Sequence, residues 1–544
     1  MVIVKDKWEH LFERDLVASL EARLPAFLVK TRWFGGKARL IESVRVIDTI
    51  PLHMDGSTLV VAFIEVSYSD GVNETYTMPL SAVFDEAAAR LEQTTPEAVI
   101  MPIAVSSVNE ERQGLVQDAL LDEVCAGALL AAIRQEARFP GDHGMLIATA
   151  NAVFRKSHFD TVSAGPSVMK AEQSNTSVKF GSHAIMKLYR RAECGVNPDL
   201  EIGRALTARK FPHSPTVLGA FEYVRPGEEP ATIAILHSFI ENQGNGWQYT
   251  LKELQRAMEM YAGRAAIGTM AATAGKGTDR LRKDITSGQV GYDQVAGILG
   301  RRTAELHLAL AKGAEDPAFL PERCTAAYWQ SVRDRISHSI EMSLTLLRNR
   351  LADLGKEDGD RATHVLDMER TLVTRLDALI AQNPDSLRIR CHGDYHLGQV
   401  LYTGGDFIII DFEGEPARSL AERRAKQVPM VDVAGMIRSF HYAAYVALGQ
   451  RLDRQPDRQP SFDWDQWVQT WYRSTRVAFL TAYGQVAEGA SFWPMDSEER
   501  NLLLDVYLIE KAFYELAYEL NNRPAWAGIP LRGILQLIES NEDA

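Results

Sequence analysis

One stretch narrows the possible folds more than any other. It runs Cys391-His392-Gly393-Asp394-Tyr395-His396-Leu397-Gly398-Gln399-Val400-Leu401 and continues at Phe407-Ile408-Ile409-Ile410-Asp411-Phe412-Glu413. An acidic residue, an amide five positions later, a short apolar strand and a second acidic residue imply a tight loop feeding a hairpin. Phosphoryl transfer from a metal-bound nucleotide needs such a set. One carboxylate orients the attacking hydroxyl and accepts its proton; a second carboxylate and an amide oxygen hold magnesium, a hard cation that takes oxygen ligands. The order follows the kinase sequence H-R-D-x-x-x-x-N and then D-F-G, with Gly393, Gln399 and Glu413 as departures. Taken alone, Asp394 would be a turn or cap residue. A rival reading has His392, Asp394 and His396 ligating zinc, although no further His or Cys cluster completes such a site and His307 and His441 stand alone.

The 544 residues allow several lobes and a large core, and 46% apolar with 24% charged content is ordinary for a globular chain. A net charge of −13 argues against a nucleic-acid surface. The four cysteines, Cys125, Cys194, Cys324 and Cys391, lie far apart and form neither a disulfide framework nor a zinc pattern, which fits a reducing cytosol. The first residues lack the apolar core of a signal peptide, and no apolar run is long enough to cross a bilayer. The expectation is a cytoplasmic protein without nucleic-acid or membrane partners.

Along the chain, Trp8 to Leu28 reads as helix. Arg32-Trp33-Phe34-Gly35-Gly36-Lys37 reads as a packed turn and core anchor. Ile41 to Met78 alternates like a strand meander. Short strands follow near Ala98–Ile103 and Gly114–Asp118, then a helix over Asp122–Arg138. Phe154 to Lys170 is polar. Val168–Glu172 and Ala184–Arg190 read as a hairpin joined by Gln173-Ser174-Asn175-Thr176-Ser177. In a kinase-like lobe this hydroxyl-rich link would cover nucleotide phosphates; otherwise it is a polar turn.

Lys187 sits inside an apolar strand, where its charge needs an anion. Asn197 as N-cap and Pro198 at the first helical position open a helix carrying Glu201. A strand lysine followed by a helix glutamate is the kinase arrangement for holding phosphates. Thr232 to Ile240 is a buried-type strand, and backbone groups near His237 and Phe239 could pair an adenine edge. It loosens into a Gly-rich link at Glu241–Gly246, where a lobe boundary is expected. Helices are expected over Leu251–Ala262, Tyr292–Ala311, Ala326–Leu354 and Thr363–Gln382, with loops at Ala272–Gly291 and Arg451–Pro460. Asp432 either caps its own helix or braces the catalytic loop. Lys511, Tyr514, Glu515 and Tyr518 share a helical face, which from spacing alone is an ordinary amphipathic face.

Several of these stretches together resemble the bacterial maltokinases, including the kinase halves of trehalose synthase–maltokinase fusions. They are Arg32–Lys37, Glu172–Ser177, Met186–Arg191, Asn197–Gly203, His392–Gln399, Asp411–Pro416 and Glu510–Pro530. The resemblance implies an α+β, bilobal, eukaryotic-protein-kinase-like fold. Its parts would be an N-terminal cap (1–105), an intermediate nucleotide-binding sheet (106–240) and a mostly helical C-lobe (241–544). It implies ATP- and Mg2+-dependent phosphorylation of maltose at its anomeric hydroxyl for α-glucan synthesis, with trehalose synthase as a fused or associated partner. By position, Asp394 would be the base, Gln399 and Asp411 would bind magnesium, and Lys187, Glu201, Ser174, Asn175, Thr176, Ser177, His237 and Phe239 would serve the nucleotide. His396, Glu413, Arg438, His441, Lys511, Tyr514, Glu515 and Tyr518 would serve the sugar, with His441 standing where many relatives carry Asp. Other readings keep the fold with another acceptor, such as glucosamine, or make the chain a catalytically silent nucleotide-binding partner in a trehalose-handling assembly.

Overall fold

The computed structural model describes residues 2–54, 57–108, 110–156, 165–169, 174–272, 290–312, 316–382, 384–454 and 463–539. The chain divides into two compact units: residues 1–208 with 215–241, and residues 209–214 with 242–544.

The first unit is built on two sheets. Strands β1 (Val2–Lys5), β2 (Ile41–Met54), β3 (Ser57–Tyr68), β4 (Asn73–Phe84), β5 (Val99–Ser106) and β6 (Glu111–Asp118) form a sheet in the order β1-β5-β6-β4-β3-β2. The expected meander is β2 to β4, whose apolar residues bury Val60, Ala62, Ile64, Met78 and Leu80 together with Trp8, Trp33 and Phe34. The Trp33-Phe34 turn is thus a core anchor. This sheet runs to Asp118, past residue 105. The single helix expected over Trp8–Leu28 is instead three short turns, Trp8–Phe12, Val17–Glu21 and Leu24–Leu28. Pro25 explains the last break, because proline is tolerated only in a helix's first turn.

The second sheet joins β7 (Arg138–Pro140), β8 (Met145–Ala150), β9 (Pro166–Val168), β10 (Asn175–Phe180), β11 (Ala184–Tyr189), β12 (Val217–Val224) and β13 (Ala231–Ser238) in the order β7-β8-β12-β13-β11-β10-β9. The expected hairpin is real but shifted. β10 pairs β11 in register Ser177↔Lys187, and the turn between them is at Gly181, where φ is +55°. Glycine adopts that conformation without steric cost. Asn175, Thr176 and Ser177 are therefore strand residues and not a connecting loop. Glu172 and Gln173 lie outside the described residues, as do 157–164 of the polar stretch.

The second unit is mainly helical. Its long helices are Gly246–Ala272, Val290–Ala311, Ala326–Arg350, Met430–Arg454, Trp464–Ala487 and Ser497–Asn522, and Gly528–Glu539 ends the described chain. The loop expected at 272–291 falls largely on 273–289, and most of the polar break at 451–460 on 455–460; both segments lie outside the described residues. Arg451–Arg454 is helical. Between these helices a small hairpin pairs Val400–Tyr402 with Phe407–Ile409. No described helix is long and apolar enough to cross a membrane.

Candidate active site

The loop that carries Asp394 hangs from a buried carboxylate. Asp432, 1% exposed, accepts the backbone N–H of His392 at 2.8 Å and of Gly393 at 2.9 Å. His307 Nε2 lies 3.0 Å from the same side chain, and its Nδ1 lies 2.8 Å from the Tyr483 hydroxyl. Burial opposes the Asp432 charge, yet these hydrogen bonds hold its carboxyl below the ordinary range. Of the two roles open to Asp432, bracing is the one observed. Gly435, one turn on, lies so near the loop that a β-carbon there would sit 2.4 Å from the Tyr395 carbonyl. His392 Nε2 bonds the Ile410 carbonyl at 2.9 Å, tying the loop to the end of the hairpin. Gly393, at φ +83°, supplies the left-handed step.

Asp394 is largely enclosed, with 18% of its side chain exposed. Lys511 Nζ lies 3.3 Å from its Oδ1, and His396 Nε2 lies 3.8 Å from its Oδ2. Burial alone would raise its pKa. Lys511, His396 and His392 overcome that and hold the carboxyl below its ordinary value. Burial, and then the neighbouring Lys511, lower the pKa of His396 as well. Lys511 also faces Glu415 at 3.9 Å, and the Tyr514 hydroxyl donates to Glu415 at 2.7 Å. Glu415 had no role assigned from the sequence. The signal that could have found it is its spacing from Glu413 across a glycine.

Gln399 is linked to the hairpin end by a 3.0 Å bond from Ile410 N–H to its carbonyl. The next residue, Asp411, takes φ +68°, an outlier for a residue with a side chain. Such conformations concentrate where function fixes a side chain's aim. Asp411 and Glu413 bring carboxylate oxygens within 4.8 Å of each other, and two hard anionic donors at that spacing suit a divalent cation.

The zinc reading has no geometric support. Among the described residues, no cluster of three ligand atoms combines His392, Asp394 and His396. His307, Cys391 and Asp432 do cluster. Burial, first of all, holds the Cys391 thiol well above its usual pKa, and it bonds the Gln427 carbonyl.

Two expected sugar residues are enclosed. Arg438 is 2% exposed, and its guanidinium Nε donates to Glu515 at 3.1 Å. His441 is 1% exposed, with Nε2 3.2 Å from the Gln536 amide oxygen. Burial and then Arg438 hold its pKa well below the usual value, so it is neutral. Both were expected at the sugar only through the family resemblance, and both lie in a buried stretch of helix. Tyr518 is 47% exposed.

In the first unit, Lys187 Nζ lies 3.7 Å from Asp199 Oδ2. Asp199 is nearly buried, accepts the Tyr189 hydroxyl at 2.7 Å, and sits on the same helix as Glu201. Asn197 caps that helix by accepting from Asp199 N–H and Leu200 N–H, as its sequence predicts. No local sequence pattern singles out Asp199. Thr176 is buried and its hydroxyl accepts from Arg190 Nε at 2.8 Å; Ser177 is 1% exposed and Ser174 is exposed. His237 lies in β13, and Phe239 N–H donates to the His183 carbonyl at 2.9 Å.

A family model described as the maltokinase N-terminal cap domain matches residues 27–122, and one described as the phosphotransferase enzyme family matches residues 174–414. Together the two matches place a maltokinase-type cap ahead of a phosphotransferase region. The activity class that follows is phosphoryl transfer to an alcohol. A curated relative named glucosamine kinase, from Streptacidiphilus jiangxiensis, is 24% identical over 378 residues, covering 68% of this chain and 72% of its own. Another of that name, from Mycolicibacterium smegmatis, is 25% identical over 377 residues, covering 69% and 80%. A solved structure titled glucosamine kinase in complex with glucosamine, ADP and inorganic phosphate aligns with a TM-score of 0.61 at 19% identity, over 94% of this chain and 96% of that one. A second glucosamine kinase crystal form reaches 0.63 at 19% identity, over 94% and 97%. At that identity the likeness establishes the kinase-like fold of this phosphotransferase and nothing finer.

Proposed function

We propose that the protein is an ATP- and magnesium-dependent kinase that phosphorylates the anomeric hydroxyl of maltose. The observation that carries this reading is the Asp394 site: an enclosed carboxylate kept ionised chiefly by Lys511, on a loop fixed by Asp432. A base near neutral pH must be deprotonated and within reach of the hydroxyl it serves. The maltokinase-type cap over residues 27–122 favours maltose as the acceptor.

In the proposed step Asp394 accepts the proton of the sugar hydroxyl. The hydroxyl oxygen forms a bond to the γ-phosphorus of ATP as the bond from that phosphorus to the β,γ-bridging oxygen breaks, and ADP leaves. Asp411 and Gln399, with Glu413 adjoining, would hold Mg2+, which neutralises phosphate charge when bound. Lys187, anchored by Asp199, is assigned to the phosphates. Lys511 and Tyr514, both touching Glu415, are assigned to the acceptor. Arg438 and Glu515 position that helix from the core. The product would be maltose 1-phosphate for α-glucan synthesis in the cytoplasm, with trehalose synthase as the upstream partner.

A second acceptor, glucosamine, is favoured by the names of the curated relatives. Asp394 and Glu415, which both face the Lys511 ammonium, could also face the ammonium group of an amino sugar. A panel of maltose, glucose, glucosamine and an aminoglycoside, with ADP release measured by a coupled assay, separates these. Maltose turning over with the highest kcat/KM supports the proposal, and glucosamine doing so replaces it.

A further inference from the structure

The helix Ser497–Asn522 carries Lys511 at Asp394 and then continues for two more turns past Tyr514. At about 1.5 Å per residue, Tyr518 lies ~10 Å farther along it. There the chain gathers aromatic side chains. Trp247 and Tyr442 have ring centroids 6.3 Å apart, and Tyr442 and Trp526 are 6.1 Å apart, all three rings half-buried. The Arg523 guanidinium lies over Trp526 at 4.6 Å and over Tyr518 at 5.4 Å. Glu519, 2% exposed, accepts the Tyr442 hydroxyl and is paired with Arg523.

The elements that carry this group also adjoin the loop that bears Asp394. Trp247 follows Gly246, where a β-carbon would meet the Leu397 carbonyl at 2.9 Å. Tyr442 is three residues beyond Ser439, whose hydroxyl accepts Leu397 N–H at 3.0 Å. The aromatic group and Asp394 therefore belong to one continuous frame. Indole and phenol rings combine apolar area with polar tips, and bracing by a carboxylate–guanidinium pair removes the cost of ordering them. Aromatic faces beside fixed hydroxyl-bonding groups match the amphipathic faces of a pyranose ring.

We propose that Trp247, Tyr442 and Trp526, steadied by Glu519 and Arg523, form an outer subsite that takes a further sugar ring of an oligosaccharide acceptor whose reducing end lies at Asp394. This rests on the sugar-kinase reading above and deepens it: besides maltose, the site binds glucan oligomers of three rings or more.

The test uses full-length Asp394→Asn protein, so that binding is read without turnover. Maltotriose and maltose affinities are measured by titration calorimetry, and the same pair is run on Trp526→Ala and Trp247→Ala in that background, with circular dichroism confirming the fold. Tyr442→Phe serves as the variant that keeps the ring. The expected result is maltotriose binding about ten-fold tighter than maltose, the scale of burying one ring face, falling to near parity in Trp526→Ala or Trp247→Ala and retained in Tyr442→Phe. Equal affinities in the parent protein, or a preference untouched by both tryptophan changes, would overturn the subsite while leaving the kinase reading intact. If no sugar binds the parent protein at all, both fall.

Discussion

Lys511 and Asp394, 117 positions apart in sequence, meet at 3.3 Å, ammonium against carboxylate. The pair decides the charge state of the residue assigned as base. Asp394 is enclosed, and burial would favour its neutral form; Lys511 is the largest of the groups that reverse this. A base that stays ionised without solvent is ready for a proton from an acceptor hydroxyl.

The pH profile should report this pair. Asp394 is held below the ordinary aspartate value of about 3.9. The acid limb of kcat/KM should therefore fall below that value in the native protein. In Lys511→Met burial dominates, the Asp394 pKa rises, and the limb moves to higher pH. Initial rates from pH 3.5 to 8 check it; an unmoved limb would show that Lys511 does not tune Asp394.

Asp432 should matter to both stability and rate. Removing its carboxylate in Asp432→Ala strands two buried N–H donors and His307, a loss of about 3 kcal/mol. Because its folded pKa is depressed, its contribution is present above its unfolded pKa and is lost as pH falls through the folded value. Urea denaturation at pH 7 and pH 3.5 should show the gap between native and variant shrinking at the lower pH.

Gly435→Ala should disturb the catalytic loop without adding polarity. The new methyl would meet the Tyr395 carbonyl at 2.4 Å, which backbone cannot absorb without moving. Overpacking of this kind costs about 1–3 kcal/mol. The expected outcome is a lower kcat with little change in the affinity for nucleotide, measured by steady-state kinetics and nucleotide titration.

His441 sets a different expectation. It is buried and held neutral, first by burial and then by Arg438. His441→Asn, which can keep a donor toward Gln536, should leave acceptor specificity within about two-fold of native, whereas Arg438→Met leaves Glu515 unpaired in the core and costs about 3–5 kcal/mol. Thermal unfolding and the sugar panel check the two halves.

What could be read from the sequence was what local chemistry dictates. Asn197-Pro198 announced a helix start because both residues act within one turn. The Asp394–Asp411 segment announced a loop and hairpin because its spacing is short. Ser174–Ser177 misled because hydroxyl residues suit both turns and strands, and the deciding turn lay at Gly181. Asp199 went unnoticed since its partner Lys187 sits on another element. Arg438 and His441 lie in a helix stretch that is buried nearly all round, and only three-dimensional packing shows that these polar side chains are enclosed with it. The meeting of Lys511 with Asp394 joins segments whose separation no local pattern encodes.

The central claim, that Asp394 is the base of a maltose-phosphorylating kinase, is tested most directly by phosphorus NMR on maltose, ATP and Mg2+ incubated with native and Asp394→Asn protein. The account expects an anomeric phosphate resonance from the native protein and a rate lower by about 10²–10⁴-fold in the variant, with nucleotide still bound. Formation of that ester by Asp394→Asn at near-native rate, or no sugar phosphate from the native protein, would contradict it.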